Sequence, residues 1–417
     1  MSLQDIYKKA GVVMKPAAMK GGKLYSQQPH SGAGDFNFSR ADGVQTRINK
    51  HGLIETVANN EPRLSYDLVD GKVSDCPHLL LEPSRTNVIR YSDNFGEWST
   101  VNVGVTDNQS VSPDGNLTAD FVSENSGVNS KFIYLDESVT SGNEYTQSVF
   151  VKYNGTRYIQ LTGSVGFGTG HVNFDLQEGT ITLESAVLDA SIEKYPNEWY
   201  RISATLSCTT TTSGRFLMSL IGSSTSGRVG TYSGDTSKGV YLWGAQLEIG
   251  DYPTSYIPTS GSTETRQADE IELNYNIESS DGFSAVAGFD IGVAGAGSST
   301  PFLLLNDDTS NTYIGFGSNS ANFRCRLNLN GIAYLNTQGN APRTQKNRLF
   351  VSCNSDGWSQ GANGVTNNTG ANDASIFDRF TSVSFLSSEV YGIIKISEIS
   401  LFNTRLTDSE LELLTTP

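Results

Sequence analysis

Hydrolytic or metal chemistry in this chain would have to be assembled from four histidines, four cysteines and 44 acidic side chains. His30, His51, His78 and His171 are scattered, with no HExxH and no ligand spacing, so structural or surface roles are expected of them. Cys76, Cys208, Cys325 and Cys353 stand far apart without a CxxC pair. Cys208 and Cys353 fall within apolar, strand-like runs, which reads as buried free thiols in a reducing compartment rather than a disulfide framework. No GxSxG or Walker A motif occurs, and the glycines at 166, 168 and 170, or at 292, 295 and 297, do not match GxGxxG; turns explain them better than phosphate cradles. A glycosidase needs two carboxylates about 5–9.5 Å apart. Acids are plentiful, but the ExDxxE pattern of catalytic sandwiches is absent. The expectation is a protein with no catalytic residues, not an enzyme.

Recognition chemistry is better represented. Rings that stack on sugar faces would have to be exposed, and Ser355-Asp356-Gly357-Trp358 reads as a hairpin tip. Trp358 is therefore the first glycan-binding candidate, with packing under a neighbouring loop or subunit the competing reading; Tyr313 and Tyr334 follow it. Trp199 and Trp243 lie in strongly apolar runs and are expected in a core, and Trp98 is expected to plug a rim. The net charge of −15 argues against nucleic acid as the main partner. Residues 1–50 run against that sign, with eight basic and three acidic side chains, so a basic end either docks on an acidic surface or is simply solvated. No run approaches the ~18 apolar residues of a membrane span, and the N-terminus reads as lacking an export leader.

The elements that must position these residues are short strands. Val149, Val151 and Tyr153 share one phase; so do Val172, Phe174 and Leu176, with a turn at Gln177–Thr180 leading into Ile181 and Leu183. Tyr200, Ile202, Ala204 and Leu206 continue the pattern. The proline-bearing stretch 251–268 reads as an extended connector, ordered by Tyr252, Tyr256 and Ile257. Ile394 and Ile396 share a phase that Ile399 and Leu401 do not, which predicts a β-bulge at Ser397-Glu398. Two short helices are expected. One follows Ser2, with Leu3, Ile6, Tyr7 and Ala10 on one face; the other is started by a capping box at Thr407–Glu410. The first is too short to be stable without another surface to lie on.

Two stretches carry a resemblance. Leu79-Leu80-Leu81-Glu82-Pro83-Ser84-Arg85-Thr86-Asn87, then Tyr91–Phe95 and Trp98, is similar to the opening of a carbohydrate-binding-like sandwich of phage structural proteins. Val240–Glu248 and Tyr252–Thr259 resemble the end of the same module, and Phe38–Ala41 and Thr46–Glu55 resemble the N-terminal region of phage fibre-like proteins. Asn347–Cys353, Asp356–Trp358, Asn363-Gly364 and Ile396–Leu414 resemble the laminin-G/concanavalin-A-like lectin fold. The resemblance implies an all-β protein of tandem β-sandwiches. An N-terminal virion-attachment region would occupy 1–87, a carbohydrate-binding-like jelly roll 88–262, and a concanavalin-A/laminin-G-like sandwich 263–417.

It further implies a tail-fibre type appendage, made in the host cytoplasm and released by lysis in the virion. Such a protein is commonly a homotrimer, contacting other virion proteins (capsid, portal or tail) and a host surface glycan. Leu3, Ile6, Tyr7, Lys8 and Lys9 are the attachment candidates. A head fibre or capsid decoration protein, and a secreted bacterial glycan-binding or glycan-cleaving protein, are the alternatives. No cofactor is expected. Structural calcium often accompanies both sandwich types, but Trp243 and Gly244 stand where relatives often carry paired aspartates. Loop carboxylates such as Asp307 and Asp308 could still bind such an ion, with a solvated turn the competing reading.

Overall fold

The computed structural model describes residues 2–41, 43–273, 282–294, 301–306, 313–318, 322–329, 332–342, 346–354, 356–370, 382–385 and 392–416. They form two β-sandwiches, with the second inserted into the first.

The inserted sandwich spans roughly residues 88–250. One sheet runs in the order Ser99–Val101, Lys131–Val139, Thr212–Ile221, Tyr158–Ser164, His171–Asp175, Thr180–Ser185. The other runs Val103–Val111, Leu117–Glu124, Gly239–Ile249, Glu144–Asn154, Trp199–Ser207, Asp189–Lys194. Successive strands cross between sheets in the jelly-roll manner, and every ladder in them is antiparallel. The expected phases hold: Val149, Val151, Val172, Phe174, Leu176, Ile202 and Leu206 all enter one core. Glu144–Asn154 departs from alternation, however, because Phe150 on its other face is also fully buried. That face packs outward with Trp199 and Trp243 against Ile54 and Tyr256, so the strand is covered on both sides.

The outer sandwich draws on both ends of the chain. Its first sheet has the order Val365–Gly370, Gly357–Ala362, Asn347–Asn354, Phe283–Ala294, Gly392–Phe402, Lys72–Leu81, Leu64–Val69, with Ala10–Met14 also pairing to Gly392–Phe402. Its second sheet includes Met19–Lys20, Lys23–Leu24, Phe36–Ser39 and Glu270–Leu273 beside the strands Ser382–Phe385, Pro301–Asn306, Tyr313–Ser318, Asn322–Leu329 and Ile332–Pro342. Val12, Met14, Phe36, Phe38, Leu79 and Leu81 share a core with Ile271, Phe283, Val351, Ile396 and Leu401.

This corrects the expected division of the chain. Residues 1–87 are not a separate attachment region, because Ala10–Met14 and Lys72–Leu81 pair with Gly392–Phe402, and Phe36–Ser39 pairs with Glu270–Leu273. The expected bulge is present: Gly288 pairs with Glu398 and Phe289 with Ile396, leaving Ser397 unpaired.

Both helices form, but the first is shorter than expected: it ends at Tyr7, and Ala10 instead opens the strand Ala10–Met14. Leu3–Tyr7 is capped by Ser2, and Asp408–Thr415 by Thr407 in a capping box with Glu410. The surface the first helix needs is the second: Ile6 is fully buried in a cluster with Leu406, Leu411 and Leu414.

Candidate functional site

The two sandwiches meet at a joint built from charge. The connections into and out of the inserted sandwich, Arg85–Asn87 and Glu264–Arg266, pair with each other. Around them lie Arg40, Arg63, Arg266, Glu82, Glu248 and Asp269, all buried. The Glu82 carboxylate meets Arg63 Nη1 at 2.6 Å and Arg266 Nη1 at 3.2 Å, and accepts from Ser255 N at 2.8 Å and Ser255 Oγ at 2.6 Å. Asp269 pairs with Arg40 at 2.6 Å and with Arg63 Nη2. Glu248 accepts from Thr254 N at 2.9 Å and from Thr254 Oγ1, while Arg266 Nη2 donates to the Pro83 carbonyl at 2.7 Å. Three positive and three negative groups thus balance in a dry interior. Burial alone would raise the Glu82 carboxyl, but Arg266 and Arg63 hold it well below the usual carboxylate range. The extended connector is ordered as expected, with Tyr252, Tyr256 and Ile257 buried. Asn87 Nδ2 fixes it by donating to the Ile257 carbonyl at 2.9 Å.

Beside this joint the sandwiches enclose a cleft of about 480 Å³. One wall is the edge strand Leu64–Val69 with Ile48 and Ile54; the other comes from the edge strand Asp189–Lys194 with Tyr195, Tyr200 and Arg201. Lys395 and His78 also line it. Asp67 sits between two ammonium groups, 2.7 Å from Lys395 Nζ and 3.0 Å from Lys346 Nζ, with His78 Nδ1 3.6 Å away. Burial would raise its carboxyl, yet these neighbours hold it well below the usual range. Burial pushes His78 down to about 4, against the pull of Asp67 and with the help of Lys395 and Lys346, so the ring is neutral at pH 7. Arg201 Nη2 donates to the Thr254 carbonyl at 2.7 Å and Ser148 Oγ at 3.0 Å, and its guanidinium lies over the Phe150 ring. Its Nε is buried without a partner, as is His78 Nδ1. At one side the cleft is shut by close backbone approach: a Cβ at Gly71 would stand 2.9 Å from the Tyr195 carbonyl oxygen, and one at Gly52 would stand 2.7 Å from Pro196.

The residues singled out from sequence lie elsewhere. Trp358 follows the hairpin turn as the second residue of the strand Gly357–Ala362, opposite Cys353, and packs, half-buried, against the outer core. Two-residue alternation places its ring on the inward face, which matches the packing alternative. Tyr313 and Tyr334 begin or lie within strands, but their side chains are outside the described residues, as are Asp307 and Asp308. Trp98, Trp199 and Trp243 are buried.

Of the attachment candidates, Ile6 is buried, Tyr7 donates to Glu398 Oε1 at 2.6 Å, and Lys9 pairs with Glu410 at 2.5 Å. These three fix the helix to its own chain; Leu3, Lys8 and Lys9 remain exposed, Lys8 pairing with Asp5 at 3.2 Å. Cys208 and Cys353 are buried free thiols, whereas Cys76 is exposed and free; burial pushes the Cys353 thiol up to about 12. Among the described residues no cluster of three or more His, Cys, Asp or Glu could hold a metal ion, and no helix is long and apolar enough to cross a membrane.

No known family matches the sequence, and no curated protein resembles it. Solved structures do show partial likeness. The binding domain of botulinum neurotoxin DC in complex with rat synaptotagmin II aligns with 36% of this chain and 40% of its own, at 14% identity and a TM-score of 0.30. Domain 4 of AbnA, a GH43 extracellular arabinanase from Geobacillus stearothermophilus in complex with arabinotriose, aligns with 36% of this chain and 73% of its own, at 18% identity and a TM-score of 0.29. The Ruminococcus gnavus IT-sialidase CBM40 bound to α2,3-sialyllactose aligns with 34% of this chain and 85% of its own, at 17% identity and a TM-score of 0.28.

Proposed function

We propose that this chain is a non-catalytic adhesive appendage of a bacteriophage particle, of tail-fibre type, that holds glycan-binding sandwiches toward a host surface. The observation that carries the reading is the joint. The stretches resembling phage structural proteins, 79–98 and 240–260, supply Glu82 bonded to Ser255, Glu248 to Thr254, and Asn87 and Gln246 to the backbone of Ile257. The resemblance thus rests on residues that fix the arrangement of two sandwiches rather than on residues of a reacting centre. A rigid pair of such modules suits adhesion. Several copies, as in the homotrimer common to such appendages, would turn weak single contacts into avidity. Attachment to capsid, portal or tail would use the exposed Leu3 and Lys8 and the surface around them. Deleting residues 1–50 cannot separate attachment from folding, because Ala10–Met14 and Phe36–Ser39 belong to the outer sandwich.

Antibody to the folded chain should decorate purified particles at the tail in immuno-electron microscopy. Decoration of the head shell would move the protein to a head-fibre or decoration role. Undecorated particles, with reducing sugar released by the purified chain, would refute the proposal in favour of a free glycan-cleaving protein.

A further inference from the structure

We infer that the cleft between the sandwiches is a binding site for the terminal one or two units of a neutral glycan. The inference rests on the adhesive reading above and gives its ligand and location. Three observations point the same way. The first is size: about 480 Å³ lies within the range of sites that enclose small ligands, and is too small for a folded partner.

The second is the chemistry of the walls. A pyranose presents hydroxyls that both donate and accept, and apolar C–H faces. The cleft sets carboxylate beside ammonium at Asp67 and Lys395, 2.7 Å apart, and adds the exposed Glu193 and Lys194 on the facing edge strand. Tyr66 and Tyr200 add rings. Cationic Arg47, Lys194, Arg201 and Lys395 are offset by Asp67, Asp70, Glu178 and Glu193, and the fifth lining carboxylate, Glu82, is paired with Arg63 and Arg266, so neither an anionic nor a cationic ligand is favoured over a neutral one.

The third is closure. Two edge strands border the cleft, which would suit an added peptide strand, but the approaches at Gly71 and Gly52 shut one side. With the side near Asp70 and Tyr195 closed, the cleft suits a chain end better than a polymer passing through.

The test uses the full chain on an array of neutral glycans, acidic glycans and extended peptides, followed by titration calorimetry on the best ligand. Tyr66→Ala removes a half-buried ring from one wall, and Glu193→Trp fills the mouth from an exposed position on the other. Retention of a glycan with a neutral terminus, weakened at least about tenfold in both variants at unchanged melting temperature, is the expected result. Equal affinity in both variants would overturn the cleft assignment while leaving glycan adhesion in place. Preference for acidic glycans, or for peptide, would overturn the ligand class. No glycan retained, with particles still decorated by antibody, would overturn this inference alone; loss of both would take the adhesive reading with it.

Discussion

Glu82→Gln is the sharpest test of the joint, because it changes charge at nearly constant shape. In the native protein the buried carboxylate accepts two hydrogen bonds from Ser255 and faces two guanidiniums. Gln leaves the three arginines facing two carboxylates, and turns one accepting oxygen into a donor aimed at other donors. Removing one partner from a buried ion pair costs about 3–5 kcal/mol. That is roughly a hundred- to several-thousand-fold in the unfolding equilibrium.

Urea unfolding followed by tryptophan emission is the assay, since Trp199 and Trp243 lie in the cluster where the sandwiches touch. Emission should change at lower urea than the far-UV circular dichroism, as the joint opens before the sheets melt. Adding Arg266→Gln restores neutrality, and the double variant should lose less than the sum of the singles by about 1–3 kcal/mol. A loss below about 1 kcal/mol for Glu82→Gln, the scale of an exposed pair, would refute the picture of a dry, balanced charge cluster.

Other outcomes follow from the same geometry. Trp358→Ala should destabilise the chain by about 2 kcal/mol, below the full cost for a wholly buried tryptophan, and leave glycan retention unchanged; a loss of retention at unchanged stability would restore Trp358 as a contact residue. Thr407→Ala removes the cap of the C-terminal helix and should cost about 1 kcal/mol in chemical unfolding. His78 stays neutral in the fold down to about 4 but takes a proton at its ordinary value near 6.5 when unfolded. The unfolded state therefore binds more protons between those values, and stability should fall as pH drops from about 6.5 to 4; His78→Gln should flatten that slope.

Sequence patterning exposes some of this fold and hides the rest for identifiable reasons. Local devices are readable: the Thr407–Glu410 box, the bulge at Ser397 and the phases of Val172, Phe174 and Leu176 each act within a few residues. The shared sandwich of the two chain ends is not, because alternation in Ala10–Met14 says which face is apolar but nothing of its partner, Ile399–Phe402. The buried ions were hidden by composition, since Arg40, Arg63 and Arg266 sit among Ser, Thr and Pro and read as surface. The signal that could have found them is the resemblance itself, which gathers Glu82 and Arg85 beside Pro83, and Glu248 near Pro253. Trp358 shows the opposite limit. Its turn was located, but a turn does not say which side of the sheet the next ring faces.

A cleft whose walls belong to two bodies is only as well defined as the contact that sets their spacing. Apolar packing at Phe150, Trp199 and Tyr256 supplies attraction without direction. The ions add little net attraction once desolvation is counted, but each bond fixes an angle, and Arg63 alone reaches both Glu82 and Asp269. The inserted sandwich is moreover tethered by both its ends, through Arg85–Asn87 and Glu264–Arg266, which pair side by side; a single tether would swivel, whereas two paired strands resist it. Loosening the charges should therefore blur the cleft before it unfolds anything. Glu82→Gln, at a buried side chain that also lines the cleft, should lower glycan affinity in mild conditions where both sandwiches keep their circular dichroism. Were affinity to hold while the joint demonstrably opened, the ligand would have to sit on one sandwich only.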